Sequence, residues 1–328
     1  MSMQLKPDFV FNPEIQTPDA DKAPTFAART LAAVPPKATD QLGPLTLLPG
    51  TWTGKGFNTI WRPFHGKDRQ PPQGHFLELN LMEETLQFEE IQGAIPNRGL
   101  LQADIDMFGV HYMQQIKDQN TGAGLHFEPG IWLNIPATRD PRVPATVARL
   151  GSIPHGTSIL GQGTALVVQG PPVFQPVSIT PFEIGNPSKT ISFPESDLSK
   201  PTEFRSTPDA IRGITQEMVN NPNSVLQNDI AGQTITRTVV LTVTSLSTPI
   251  PGGGTANTAF LKGATSRAPN ADAAQFTAIF WIETVKGQGG QPDFLQLQYT
   301  QTVMLDFGGL SWPHVTVATL RLDTPGTP

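Results

Sequence analysis

Few groups in this chain can do chemistry. Its 328 residues hold 6 histidines and no cysteine, so any metal or proton-transfer site must be built from imidazole, carboxylate and hydroxyl groups. His314 is the most informative of them. It stands at the start of Pro313-His314-Val315-Thr316-Val317-Ala318-Thr319-Leu320-Arg321-Leu322. Strand alternation puts His314, Thr316, Ala318, Leu320 and Leu322 on one face, with Val315, Val317, Thr319 and Arg321 on the other. An imidazole so placed sits at the mouth of whatever the strand encloses, with the small Thr316 and Ala318 beside it. Such a ring either ligates a metal through its neutral form or hydrogen-bonds a backbone carbonyl.

The other candidates are weaker. His126 shares a strand face with Glu128 and Gly130, so it either lines a cavity or forms a His–Glu pair, and the two roles are compatible. His155 lies in Ile153-Pro154-His155-Gly156-Thr157, a turn able to fold over a barrel mouth. Trp52 and Trp132 suit a pocket wall, although buried tryptophan is commonly plain core. His65, His75 and His111 read as surface or internally satisfied groups, and Met107 and Met113 as core. The paired carboxylates Glu83–Glu84 and Asp104/Asp106 suit exposed strand faces and carry no acid–base pattern. The chain contains no Gly-rich phosphate loop, no H-E-x-x-H and no G-x-S-x-G.

The elements that must position these residues are strands. Charged residues make up only 15%, and 30 glycines with 33 prolines supply turns, which suits an all-β protein. Alternating runs are read at 50–58, 76–81, 85–91, 107–117, 124–133, 234–244, 275–285, 294–307 and 311–322. In the second of these, Leu77, Leu79 and Leu81 are expected to face inward. Glycines at Gly54 and Gly56 point to sharp curvature or close backbone approach. The expected architecture is a closed antiparallel β-barrel of about ten strands, with an open sandwich as the alternative. Residues 1–40 read as an irregular arm, and 41–325 as one barrel domain. A Pro-rich insertion with short helices is expected at about 136–233. Its helices are read from Thr207-Pro208-Asp209 onward and over 223–230.

Net charge is -6 without basic clusters, which disfavours nucleic acid and anionic membrane as partners. The absence of cysteine excludes disulfides, thiolate catalysis and iron–sulfur clusters. No run approaches a membrane span and no leader-type pattern opens the chain, so a soluble, cytoplasmic protein is expected.

Three stretches together resemble the nitrobindin family of small haem-binding barrels. Gly50-x-Trp52-x-Gly54-x-Gly56, preceded by Gly43-Pro44-Leu45, is similar to the family's opening segment. Leu125-His126-Phe127-Glu128-Pro129-Gly130-Ile131-Trp132 is similar to its "H.E.G" strand. Pro313-His314-Val315 and Ala318-Thr319-Leu320-Arg321 are similar to its last strand, whose histidine binds the haem iron. The segment before residue 41 and the 136–233 insertion have no counterpart, so the insertion could cap, reshape or fill the cavity.

The resemblance implies haem b as cofactor, with His314 as the iron ligand and His126 lining the haem cavity, for whose wall Trp52 and Trp132 are the aromatic candidates. It implies binding or conversion of a small ligand such as nitric oxide or peroxynitrite, over an apolar distal side. Two other functions are kept open. One is a metal-free carrier of a hydrophobic small molecule, in which His314 bonds a head group. The other is a haem-dependent peroxidase or oxygen-transfer enzyme whose insertion shapes a substrate pocket.

Overall fold

Glycine spacing sets the curvature of the first strand. In the computed structural model, which describes residues 41–64, 74–248, 250, 252–262 and 270–323, β1 spans Gly50–Arg62. It pairs with the last strand as well as with its sequence neighbour, which closes the sheet on itself. A Cβ added at Gly54 or Gly56 would run into the backbone carbonyl of Thr319 or Val317, so this seam admits glycine alone at both places. The expected arm at 1–40 lies outside the described residues.

Among the described residues, β1 is followed around the barrel by β2 (Phe76–Glu90), β3 (Asp106–Asp118), β4 (Gly124–Ile135), β5 (Thr146–Ile153) and β6 (Thr157–Gln169). β7 (Ile235–Thr244), β8 (Asp272–Val285), β9 (Phe294–Phe307) and β10 (Leu310–Leu322) complete it. Every neighbouring pair is antiparallel, and the whole is a closed ten-stranded β-barrel. Only short helices accompany it: α1 (Gln216–Asn220), α2 (Asn223–Asp229) and α3 (Ala259–Lys262). None is long and apolar enough to cross a membrane.

The two ends of the barrel differ. At the end where β1 starts, a turn of 3-10 helix at Gly43–Leu45 brings in Leu42, Leu45 and Leu48, all buried with Trp52. The Trp52 indole Nε1–H donates to the Leu48 carbonyl at 2.8 Å, tying this plug to the wall. At the other end the described residues leave a cavity inside the barrel, and the side chains that line it form the candidate site.

Besides the first helix, which starts at Gln216 behind its cap Thr215 rather than at Thr207, two expectations change. The runs at 76–81 and 85–91 are one strand, β2, and its inward residues are Glu78, Asn80, Met82 and Glu84 rather than the leucines. Leu77 and Leu79 turn outward and are still fully buried, because residues 204–206 lie over them. The Leu77 amide donates to the Phe204 carbonyl, and the Leu79 amide to Ser206 Oγ. The second change is the insertion. Residues 146–169 are two barrel strands, so the excursion from the barrel runs from about 170 to 234. It neither caps nor fills the cavity, and packs instead on the outside of β9, β10, β1 and β2. Trp61 Nε1–H donates to the Ile179 carbonyl, Gln298 Nε2 to the Leu226 carbonyl and Thr300 Oγ1 to Asn223 Oδ1, at 2.8, 3.1 and 2.6 Å.

Candidate functional site

His314 reaches the interior because β10 alternates without a break from Pro313 onward. Its imidazole lines a cavity of about 510 Å³ at the end of the barrel opposite the plug. The walls are largely aliphatic, with Ile60, Met82, Ile116, Ile159, Val303 and Leu305 among them. Burial pushes the His314 pKa down to about 3, helped by the like charges of His126 and His155, so the ring is neutral at physiological pH. Its Nε2 lies 2.9 Å from Asn58 Oδ1 on β1, and Thr316 Oγ1 donates to that same oxygen at 2.9 Å. Asn58 Nδ2 donates to Asn80 Oδ1 at 3.2 Å, and Asn80 Nδ2 to Asp118 Oδ2 at 3.0 Å. Asp118 sits at the β3–β4 hairpin, where its Oδ1 accepts from the Asn120 amide and from both the amide and the hydroxyl of Thr121.

Deeper in the barrel the interior is polar. Glu128 on β4 is fully buried and receives Arg149 Nη2 at 2.9 Å, the Tyr112 hydroxyl, and the His126 ring at 3.0 Å. Burial alone would raise its pKa. The Arg149 guanidinium and His126 outweigh that and hold it down at about 2. Arg149 also donates to Gln301 Oε1 at 2.6 Å and stacks among the rings of Tyr112 and Phe280 at 5.3 and 5.2 Å.

Glu84 on β2 is equally buried but has no cation in contact: Tyr299 and Gln114 donate to its two oxygens at 2.6 and 2.7 Å. Burial pushes it up to about 7 against those two hydrogen bonds and the fields of His126 and Arg149. Tyr299, Gln114 and Gln301 all line the cavity.

No family model and no curated protein matches this chain. Among solved structures it is similar to Rv2717c from M. tuberculosis, at 13% identity over 88% of this chain and 99% of that one, with a TM-score of 0.38. The functional reading therefore stands on the cavity itself.

Of the residues singled out in the sequence, His314, His126 and His155 line this one cavity. His126 holds both of its expected roles, facing the cavity and pairing with Glu128. His155 does fold over the mouth, its Nε2 lying 3.2 Å from the Leu125 carbonyl oxygen. Trp52 and Trp132 do not face the cavity. Trp52 belongs to the plug at the closed end, and Trp132 packs edge-on against Phe280 in the core. His75 is buried against Glu195, and His111 lies outside beside Glu89. His65 lies outside the described residues. No group of three or more His, Asp or Glu side chains among the described residues could hold a metal ion.

Sequence reasoning missed Asn58, Glu84, Arg149 and Tyr299 as site residues. Glu84 carried a usable signal: Leu86 and Phe88 share its strand parity, and an apolar face that continues through a charge marks a buried carboxylate.

Proposed function

We propose that this cavity binds a hydrophobic small molecule, and that the molecule is b-type haem with His314 as the protein ligand to iron. The observation that carries the reading is a neutral, half-buried imidazole on the wall of a largely aliphatic cavity of about 510 Å³. That volume falls within the range of about 300–1,000 Å³ usual for cofactor and small-molecule sites. The donor set also fits. A porphyrin brings its own four nitrogens, so the protein need supply only one imidazole rather than a cluster of ligands.

When bound, the haem iron supplies a Lewis-acidic centre for a small ligand such as nitric oxide or peroxynitrite. The chain's own residues do the rest. Ile60, Met82, Ile116, Val303 and Leu305 exclude water from the face of the ligand. Arg62, in the cavity lining and paired with Glu78, would offer a cation to the acidic substituents of such a group. His126 on β4 and His155 on the β5–β6 turn replace the apolar far side expected from the sequence. Both would offer a polar neighbour to an oxygen atom of a small ligand held in the cavity.

Absorbance spectra of haemin-reconstituted protein test this. The Soret band should move on binding and lose that shift in His314→Ala. An identical band in both proteins removes His314 as the ligand.

A second reading has its own observation. His314 Nε2 already has a protein partner in Asn58, as in a site built for a polar head group without metal. Protein that purifies colourless, ignores haemin and yields a lipid on solvent extraction is such a carrier.

A further inference from the structure

The hydrogen bonds behind His314 have a forced direction. Asp118 is the anchor: its Oδ1 takes two backbone N–H groups and a hydroxyl, so the group acts as an acceptor throughout. Asp118 Oδ2 must therefore face the Asn80 NH₂, which turns Asn80 Oδ1 toward Asn58. That oxygen in turn requires the Asn58 NH₂, leaving Asn58 Oδ1 toward His314 Nε2 and Thr316 Oγ1. Reversing either amide would set oxygen against oxygen at one junction, and finally against the carboxylate. Each amide dipole points its negative end at the next donor, so the chain strengthens along its length.

An acceptor at Asn58 Oδ1 places the single proton of the neutral ring on Nε2. The other nitrogen, Nδ1, then carries the lone pair. It has no protein hydrogen bond among the described residues, and it is not one of the buried polar atoms left without a partner. With His314 lining the cavity, Nδ1 opens onto it.

We infer that His314 meets its ligand through Nδ1 as an electron-pair donor, with Asn58, Asn80 and Asp118 as positioning residues that hold the proton on Nε2. The inference rests on the cavity being a ligand site and names the chemistry of the group that lies there. That group accepts an electron pair: a metal centre, or an O–H or N–H donor. A carboxylate oxygen is disfavoured at this point, because it would set its lone pairs against that of Nδ1.

The test begins with ligand-free protein carrying ¹⁵N-labelled histidine, with the His314 signals assigned by their loss in His314→Gln. At pH 7 the wild type should show an unprotonated Nδ1 and a slowly exchanging Nε2–H. Asn58→Leu should speed that exchange by about tenfold or more, the worth of a lost hydrogen bond, and bring in the Nδ1–H tautomer. Asp118→Asn, which acts from the far end of the chain, should shift both in the same direction. A protonated Nδ1 in the wild type, or an equally protected Nε2–H in a folded Asn58→Leu, overturns the inference.

Zinc protoporphyrin IX, a diamagnetic probe, should then move the Nδ1 signal and leave the Nε2–H in place. Loss of the Nε2–H on binding also overturns it. If zinc protoporphyrin does not bind, the haem reading falls alone. The ligand-free spectra still decide the tautomer, and dodecan-1-ol, an O–H donor, then replaces it as the probe.

Discussion

Glu84 and Glu128 occupy the same barrel interior and are driven to opposite protonation states by their neighbours. Glu128 has Arg149 and His126 in contact and ionises easily, whereas Glu84 has only neutral donors in contact and holds its proton up to about pH 7. Removing the charge from one partner of a buried pair strands the other. Glu128→Gln should therefore lower stability at pH 7 by about 3–5 kcal/mol in urea denaturation. A loss below about 1 kcal/mol would show that Arg149 finds another partner. Of the two, only Glu84 left a trace in the sequence, through the apolar parity of Leu86 and Phe88, and it was read as exposed all the same. A charge inside an alternating run looks the same whether its face meets water or a ligand cavity. The histidines were more legible, since His314 and His126 sit on runs whose parity is unbroken. Asn58 was not, because a short amide beside Phe57 gives no sign that it completes a chain reaching a hairpin 60 residues away.

At the level of elements, alternation revealed β1, β3, β4 and β7 to β10 but failed where glycine, proline or a second covering layer altered the pattern. β5 and β6 fall within the expected insertion because prolines crowd that stretch, from Pro136 to Pro181, and only the short run 164–168 within β6 reads as a strand. Gly151, Gly161 and Gly163 interrupt the apolar faces further. Those glycines give room to Glu128, Phe276 and the Thr242 carbonyl. The inverted assignment of β2 has a different cause: with the excursion outside it, both faces are buried, and leucine no longer marks the inside. Two variants test these elements. Gly54→Ala forces the β1–β10 seam apart and should lower stability by about 1–3 kcal/mol or more, read from thermal or urea unfolding. Trp61→Ala removes the ring that packs on Phe193 and Trp312 and holds the Ile179 carbonyl. It should cost about 3–5 kcal/mol and speed proteolytic cleavage within 170–234, while strand content by circular dichroism is unchanged. Cleavage at the wild-type rate would mean that the excursion is held by its other contacts.

For the whole molecule, the buried groups together set the pH dependence of stability. Glu84 and Glu283 have folded pKa values of about 7 and 8, above the ordinary 4.5. The native state thus holds more protons than the unfolded one in those windows, and stability falls as pH rises from 4.5 through them. His314, depressed from 6.5 to about 3, works the other way: stability is lost as pH falls through that interval. Glu128, depressed from 4.5 to about 2, stabilises above 4.5 and loses its contribution below. Between 4.5 and 6.5 two carboxyls oppose one imidazole, so the optimum should lie on the mildly acid side, near pH 5. Urea midpoints measured across pH 3 to 9 check this. The double variant Glu84→Gln/Glu283→Gln should flatten the alkaline limb, and an unchanged limb would mean that both groups ionise normally.

The excursion over β9, β10, β1 and β2 also makes the barrel mechanically lopsided. Among the described residues, the wall that carries His314 is backed by a second layer, while the wall around His126 and the Ile153–Thr157 turn has none. If the cavity takes the guest proposed above, a bulkier one should push β4 to β6 outward like the loose jaw of a vice and leave the imidazole in place. Faster amide hydrogen exchange in those strands would register the movement.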